Sequence, residues 1–113
     1  MTPLEVIEGA LHELRQAHRW TRGVEARDGE GKPVCPRSNR AMKRSIEGAL
    51  SHAAGDYREE FQEAKRVIRR SLAPGNPRGF NIFDWEERPG RTHREILLAL
   101  EDAADTLRYG AVS

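Results

Sequence analysis

The stretch FNIFDWEERPGRTHRE, residues 80–95, crowds Phe80, Ile82, Phe83 and Trp85 into six positions, with Asp84 among them and Glu86 and Glu87 after, ahead of a Pro-Gly turn and the start of a basic helix. Its second half is a strong fold signal. Thr92-His93-Arg94-Glu95 is a capping box, in which the threonine hydroxyl accepts the N–H three residues on and the glutamate reaches back. Ile96, Leu97, Leu100, Ala103, Ala104 and Leu107 follow at helical spacing up to Gly110. The first half reads in two ways. In an extended conformation Phe83 and Trp85 point to one side and Ile82 and Asp84 to the other, so that one pair is core. As a hinge, the segment staples the last helix, and Trp20 and Trp85 cover a neighbouring hairpin. As a site, it leaves an aromatic beside Arg91 and His93 at a helix N-terminus, where an anion or a partner carboxylate is favoured. Small chains need their aromatics for folding, which favours the hinge.

Working outward, the same local signals recur. Thr2-Pro3-Leu4-Glu5 is a capping box with proline at the first helical position, and Leu4, Ile7, Leu11 and Leu14 share one face of a helix predicted to run to about His18. A second helix is predicted to begin near Ser38 or Asn39, to carry Met42, Ile46, Ala49, Leu50 and Ala53, and to stop before Gly55, a residue suited to a left-handed cap. Asp56-Tyr57-Arg58-Glu59 opens a third, with Phe61, Ala64, Val67 or Ile68, and Leu72 facing inward; its acidic start, Glu59, Glu60 and Glu63, and basic end, Lys65, Arg66, Arg69 and Arg70, complement the helix dipole without a ligand. Pro74 and Pro77 end it. Between the first two helices, Asp28-Gly29 and Gly31 offer a turn joining the runs Val24 to Arg27 and Lys32 to Cys35, a short β-hairpin that is marginal unless it packs on something. The expectation is a mainly α, four-helix single domain over residues 1–113, with a short β-hairpin between helices 1 and 2.

Composition bounds the function. In 113 residues, 37% hydrophobic and 33% charged, there is material for one modest core. Nineteen basic against eighteen acidic side chains leave a net charge of +1, which gives no global field for steering nucleic acid or an anionic membrane. The lone Cys35 cannot form an internal disulfide, which fits a reducing compartment. No run approaches the roughly 20 apolar residues of a membrane span, and the N-terminus lacks the pattern of a signal peptide, so a cytoplasmic protein is expected.

The order of these motifs carries a resemblance. Trp20-x-x-Gly23, the Asp-Gly turn, RSIEGAL on a helix and the aromatic-acidic segment leading to PGRT resemble domain of unknown function family 6197 of actinobacteria and their phages, from about Leu4 to Leu107. The family pattern has Trp-Cys where this chain has Arg44-Ser45, and Trp-Asn-Asp where it has Trp85-Glu86-Glu87. The resemblance implies an actinobacterial or phage setting and no assigned activity.

Catalytic signals are weak throughout. GEGKP fails as a phosphate loop, since position 26 is alanine and Lys32 precedes Pro33 where a Ser or Thr should bind magnesium. His12 and His18 face different directions, and His52 and His93 have no paired neighbour, so no metal site is expected. Cys35 reads as a small, partly buried packing residue. Asp84, Glu86 and Glu87 could raise one pKa for acid chemistry, but read as a solvated acidic turn. No catalytic residue and no cofactor is expected, and the balance leans away from an enzyme.

The leading expectation is a small intracellular interaction or regulatory protein that binds a host or phage macromolecule, a protein partner above all, in regulation or counter-defence. A nucleic-acid binder is the first alternative, using Arg37, Arg40, Lys43 and Arg44 on one face at the start of the second helix. The second is a small-molecule or nucleotide binder, or a cryptic hydrolase, around Trp20, Asp84, Trp85, Arg91 and His93. A narrow helical face also makes a homodimer compatible with the chain.

Overall fold

Thr2 starts the chain as expected: its hydroxyl accepts the Glu5 N–H at 3.2 Å while the Glu5 carboxylate accepts the Thr2 N–H at 2.9 Å. In the computed structural model, which describes residues 1–110, helix α1 then runs Pro3–Leu14 and buries Val6, Ile7, Ala10, Leu11 and Leu14. It stops four residues before His18. A 3₁₀ turn at Ala17–Arg19 redirects the backbone, so that Trp20 is half-buried against the core rather than projecting along the helix axis.

The Asp-Gly turn forms with the chemistry its residues dictate. The Asp28 carboxylate accepts the N–H groups of Glu30 and Lys32, each at 2.9 Å, and Gly31 takes a positive φ of 84°. Val34 donates back to the Ala26 carbonyl, so the two expected arms do meet. Their ladder ends there, because Pro33 and Pro36 bring no N–H. The regular strand pairing is instead β1, Ala26–Arg27, antiparallel to β2, Lys43–Arg44, in the register Ala26↔Arg44 and Arg27↔Lys43.

That pairing moves the second helix. Ser38 caps only a local turn, its hydroxyl accepting the Arg40 N–H, and Met42 donates to the Arg27 carbonyl at 2.8 Å. Helix α2 begins at Ile46, after Ser45 has accepted the Gly48 N–H, and ends at Ala54 with Gly55 at φ 58°. Arg37, Arg40, Lys43 and Arg44 therefore occupy a loop and a strand, not a helix face, and Met42 is exposed rather than inward. Gly48 is where α2 meets the strand pair: a Cβ there would lie 2.0 Å from the Glu25 carbonyl oxygen.

Helix α3, Arg58–Leu72, buries Ala64, Val67 and Ile68; its expected capping box does not form, and Asp56 instead pairs with Arg37 at 2.8 Å. After the proline-rich break the segment read in an extended conformation is an additional helix, α4, Ile82–Glu87, whose first turn is capped by the Asn81 side chain accepting the Asp84 N–H. Helix α5, His93–Tyr109, starts with the expected Thr92–Glu95 capping box and buries Ile96, Ala99, Leu100, Ala103 and Ala104. Helix α1 packs against α2, α3 and α5, making it the centre of the core. At Gly9 it approaches α2 so closely that an added Cβ would sit 2.9 Å from the Ala53 Cβ. The architecture is thus mainly helical with one small antiparallel strand pair between α1 and α2, and among the described residues no helix is long and apolar enough to cross a membrane.

Candidate functional site

Helical geometry in α4 sets Ile82 and Glu86 on one face, four residues apart, and that face is the buried one. Glu86 is 1% exposed. Its Oε2 accepts the Trp20 indole N–H at 2.7 Å and the Ile46 N–H, the first of α2, at 3.0 Å. Its Oε1 is equally buried and has no partner among the described residues. Burial pushes the carboxyl up to about 7, against the pull of the Trp20 and Ile46 donors; Glu47 adds to the rise and Arg22 opposes it. The reading of residues 84, 86 and 87 as a solvated acidic turn is corrected here: Asp84 and Glu87 are exposed, and Glu86 is the most buried acid of the chain's described part.

The residues expected to form a site around Trp85 are only partly assembled. The Trp20 ring lies 6.0 Å from that of His93 at a 40° tilt, with the Arg22 guanidinium on it at 5.7 Å. His93 Nε2 lies 2.5 Å from the Leu14 carbonyl oxygen, which can only accept, so this nitrogen carries the hydrogen. Arg91 stacks its guanidinium 3.9 Å over Trp85, donates from Nε to the Trp85 carbonyl at 2.9 Å and from Nη1 to Glu95 at 2.9 Å. These contacts tie α4 and α5 to the end of α1. Asp84 faces solvent outside them.

The four basic residues of the nucleic-acid alternative also separate. Arg37, Arg40 and Lys43 are exposed, whereas Arg44 is 5% exposed. Its guanidinium donates to the Glu13 carboxylate at 2.6 Å and to the Pro36 carbonyl at 2.7 Å. The other Glu13 oxygen lies 3.4 Å from His52 Nδ1. Cys35 is exposed rather than packed.

A larger feature lies elsewhere. Folding of the Pro77–Gly79 turn back onto α3 makes a groove of about 610 Å³ lined by Glu63, Arg66, Arg69, Arg70, Pro77, Arg78 and Phe80. Glu63 holds two of these guanidinium groups, contacting Arg66 and accepting from Arg70 at 3.0 Å. Among the described residues neither Arg69 nor Arg78 makes an ion pair, so four cations share one carboxylate. From sequence, the arginines of α3 read as complements of the helix dipole; what that reading lacked was Arg78, brought alongside by the proline-directed turn.

Capped helices around one core, a two-stranded clip and an arginine-lined groove define a small helical domain that presents charged surface. The chain belongs to the family of unknown function DUF6197, whose model matches residues 1–106. No curated protein and no solved structure matches it.

Proposed function

We propose that the protein is a small binding module that engages a macromolecular partner, and that the arginine groove on α3 is its contact surface. The observation behind this reading is the pair Arg69 and Arg78, which make no ion pair among the described residues, beside the Glu63-held Arg66 and Arg70. A guanidinium presents N–H groups in a fixed fork that matches a carboxylate, and a half-buried Phe80 supplies apolar contact at the same wall. The near-neutral chain favours a local acidic segment of a protein over a long polyanion, because it lacks the broad field that nucleic acid binders use. An actinobacterial or phage setting, with a cytoplasmic location, would make the partner a host or phage protein and the role regulatory or counter-defensive.

The test is capture from an actinobacterial lysate by the immobilised protein and by an Arg69→Glu/Arg78→Glu variant. Support is an identified protein that the wild type retains after nuclease treatment, that the variant loses, and that binds again when purified. Equal capture by both forms refutes the groove. Nuclease-sensitive capture replaces the protein partner with nucleic acid.

A further inference from the structure

A second cleft, of about 410 Å³, lies between α1, the 3₁₀ turn and α2, with Gly9 and Ala53 at the close approach of the two helices and His12, Glu13, Gln16, Arg19, Arg44 and His52 as polar lining. Its charges are unequally served. Both oxygens of Glu13 are engaged, one by Arg44 at 2.6 Å and one toward His52 at 3.4 Å. Arg19 makes no ion pair among the described residues, and its Nε is buried with no hydrogen-bond partner among them. A buried donor on a charged group left without an acceptor is costly, and the cleft beside it is polar and open.

We propose that this cleft is a binding site for a small oxyanion, a carboxylate or a phosphate, anchored by Arg19. The Nε–H and a neighbouring Nη–H of a guanidinium lie side by side and donate together to two oxygens of one head group, which satisfies the orphaned nitrogen. Gln16 brings a neutral amide donor to the same lining, and the Arg44–Glu13 pair is self-compensated, so the cleft keeps the positive charge of Arg19. A cation is disfavoured by the same count, and among the described residues no three metal-ligating side chains converge. The volume also leaves room for an organic body behind the head group, within the roughly 300–1,000 Å³ of small-molecule sites. This site is separate from the α3 groove and does not depend on it.

An amide- and guanidinium-detected NMR titration with inorganic phosphate in one arm and succinate in the other, at constant ionic strength, tests the proposal. The expected result is a saturable shift of the Arg19 Nε–H and of the Gly9, Gln16 and Ala53 amides, retained in Arg69→Glu/Arg78→Glu. Arg19→Gln, which removes charge and fork, should weaken binding by about tenfold or more. Arg19→Lys keeps the charge on a flexible stem and serves if the first variant does not fold; it too should bind more weakly. Saturation by one anion alone identifies the head group. Shifts that do not saturate with either anion, that survive both Arg19 variants, or that map to Arg66–Arg78 overturn the proposal.

Discussion

Replacing Glu86 by Gln should make the protein more stable above neutral pH and leave it nearly unchanged below about pH 4.5. The carboxyl is raised from 4.5 to about 7 chiefly because it is buried. The native state therefore holds a proton that the unfolded chain has released between these two pH values, and stability falls as pH rises through that window. Below about 4.5 both states are protonated and nothing is lost; above about 7 both are ionised and the loss is complete. The full loss is about 3 kcal/mol, since each pKa unit is worth about 1.4 kcal/mol. For a chain of this length that is roughly 12 °C in melting temperature.

Glutamine isolates the effect. Its side-chain oxygen can accept from the Trp20 indole and the Ile46 amide as the glutamate does, and its NH2 falls where Oε1 already lacks a partner. The observable is the difference in unfolding free energy between Glu86→Gln and wild type, from denaturant titrations between about pH 4 and pH 8. Taking the difference cancels groups that titrate alike in both forms. Among these are Asp28 and Glu95, held low first by the backbone N–H groups of Lys32 and Thr92, whose stabilising effect is present above their ordinary pKa and lost as pH falls through the lowered value. The difference should rise from near zero to about 3 kcal/mol in favour of glutamine. A flat difference would show that Glu86 titrates as an ordinary surface acid and that its burial carries no electrostatic penalty.

Three further outcomes follow from the packing. Glu13→Gln strands Arg44, 5% exposed, without its counter-charge, and should cost about 3–5 kcal/mol by urea unfolding, while Glu13→Leu/Arg44→Met should recover much of that; a single-variant cost near zero would refute the dependence. Gly48→Ala forces a Cβ to within 2.0 Å of a backbone oxygen and should unfold the protein or displace the strand pair, seen as loss of amide-exchange protection at Ser45, whereas Gly75→Ala, with nothing within 4 Å, should be close to neutral. Thr92→Ala removes the hydroxyl that accepts the Glu95 N–H and should lower stability by about 1 kcal/mol, with the added exchange confined to the first turn of α5.

What was legible in the sequence was local. The Thr2 and Thr92 caps and the Gly55 stop are written in contacts three to five residues apart, and each stands where the spacing places it. The second helix start was not legible, because Ser38 and Ser45 are both good caps and the choice between them is made by residues far away. Pairing with Ala26–Arg27 claims Lys43 and Arg44 as strand, and Glu25 then accepts the Ser45 N–H at 3.0 Å. Helix α4 failed for a different reason: over six residues, an alternating aromatic pattern and an Ile82–Glu86 helical face fit the same letters. Asn81, three residues ahead of Asp84, was the signal that separates them.

Site residues divide along the same line. A carboxylate flanked by two other acids and followed by three arginines reads as surface, and only the packing of α4 on the core reveals that Glu86 is an internal acceptor for two donors from distant segments. On α3 the helix-dipole reading is narrower than the groove. It concerns one helix at a time and accounts for Arg69 and Arg70 in the last turn. It does not extend to Arg78, which reaches the same groove only because the chain reverses at Pro77. Glu63 contacts two of the four guanidinium groups gathered there from both sides of the turn, and among the described residues the other two make no ion pair.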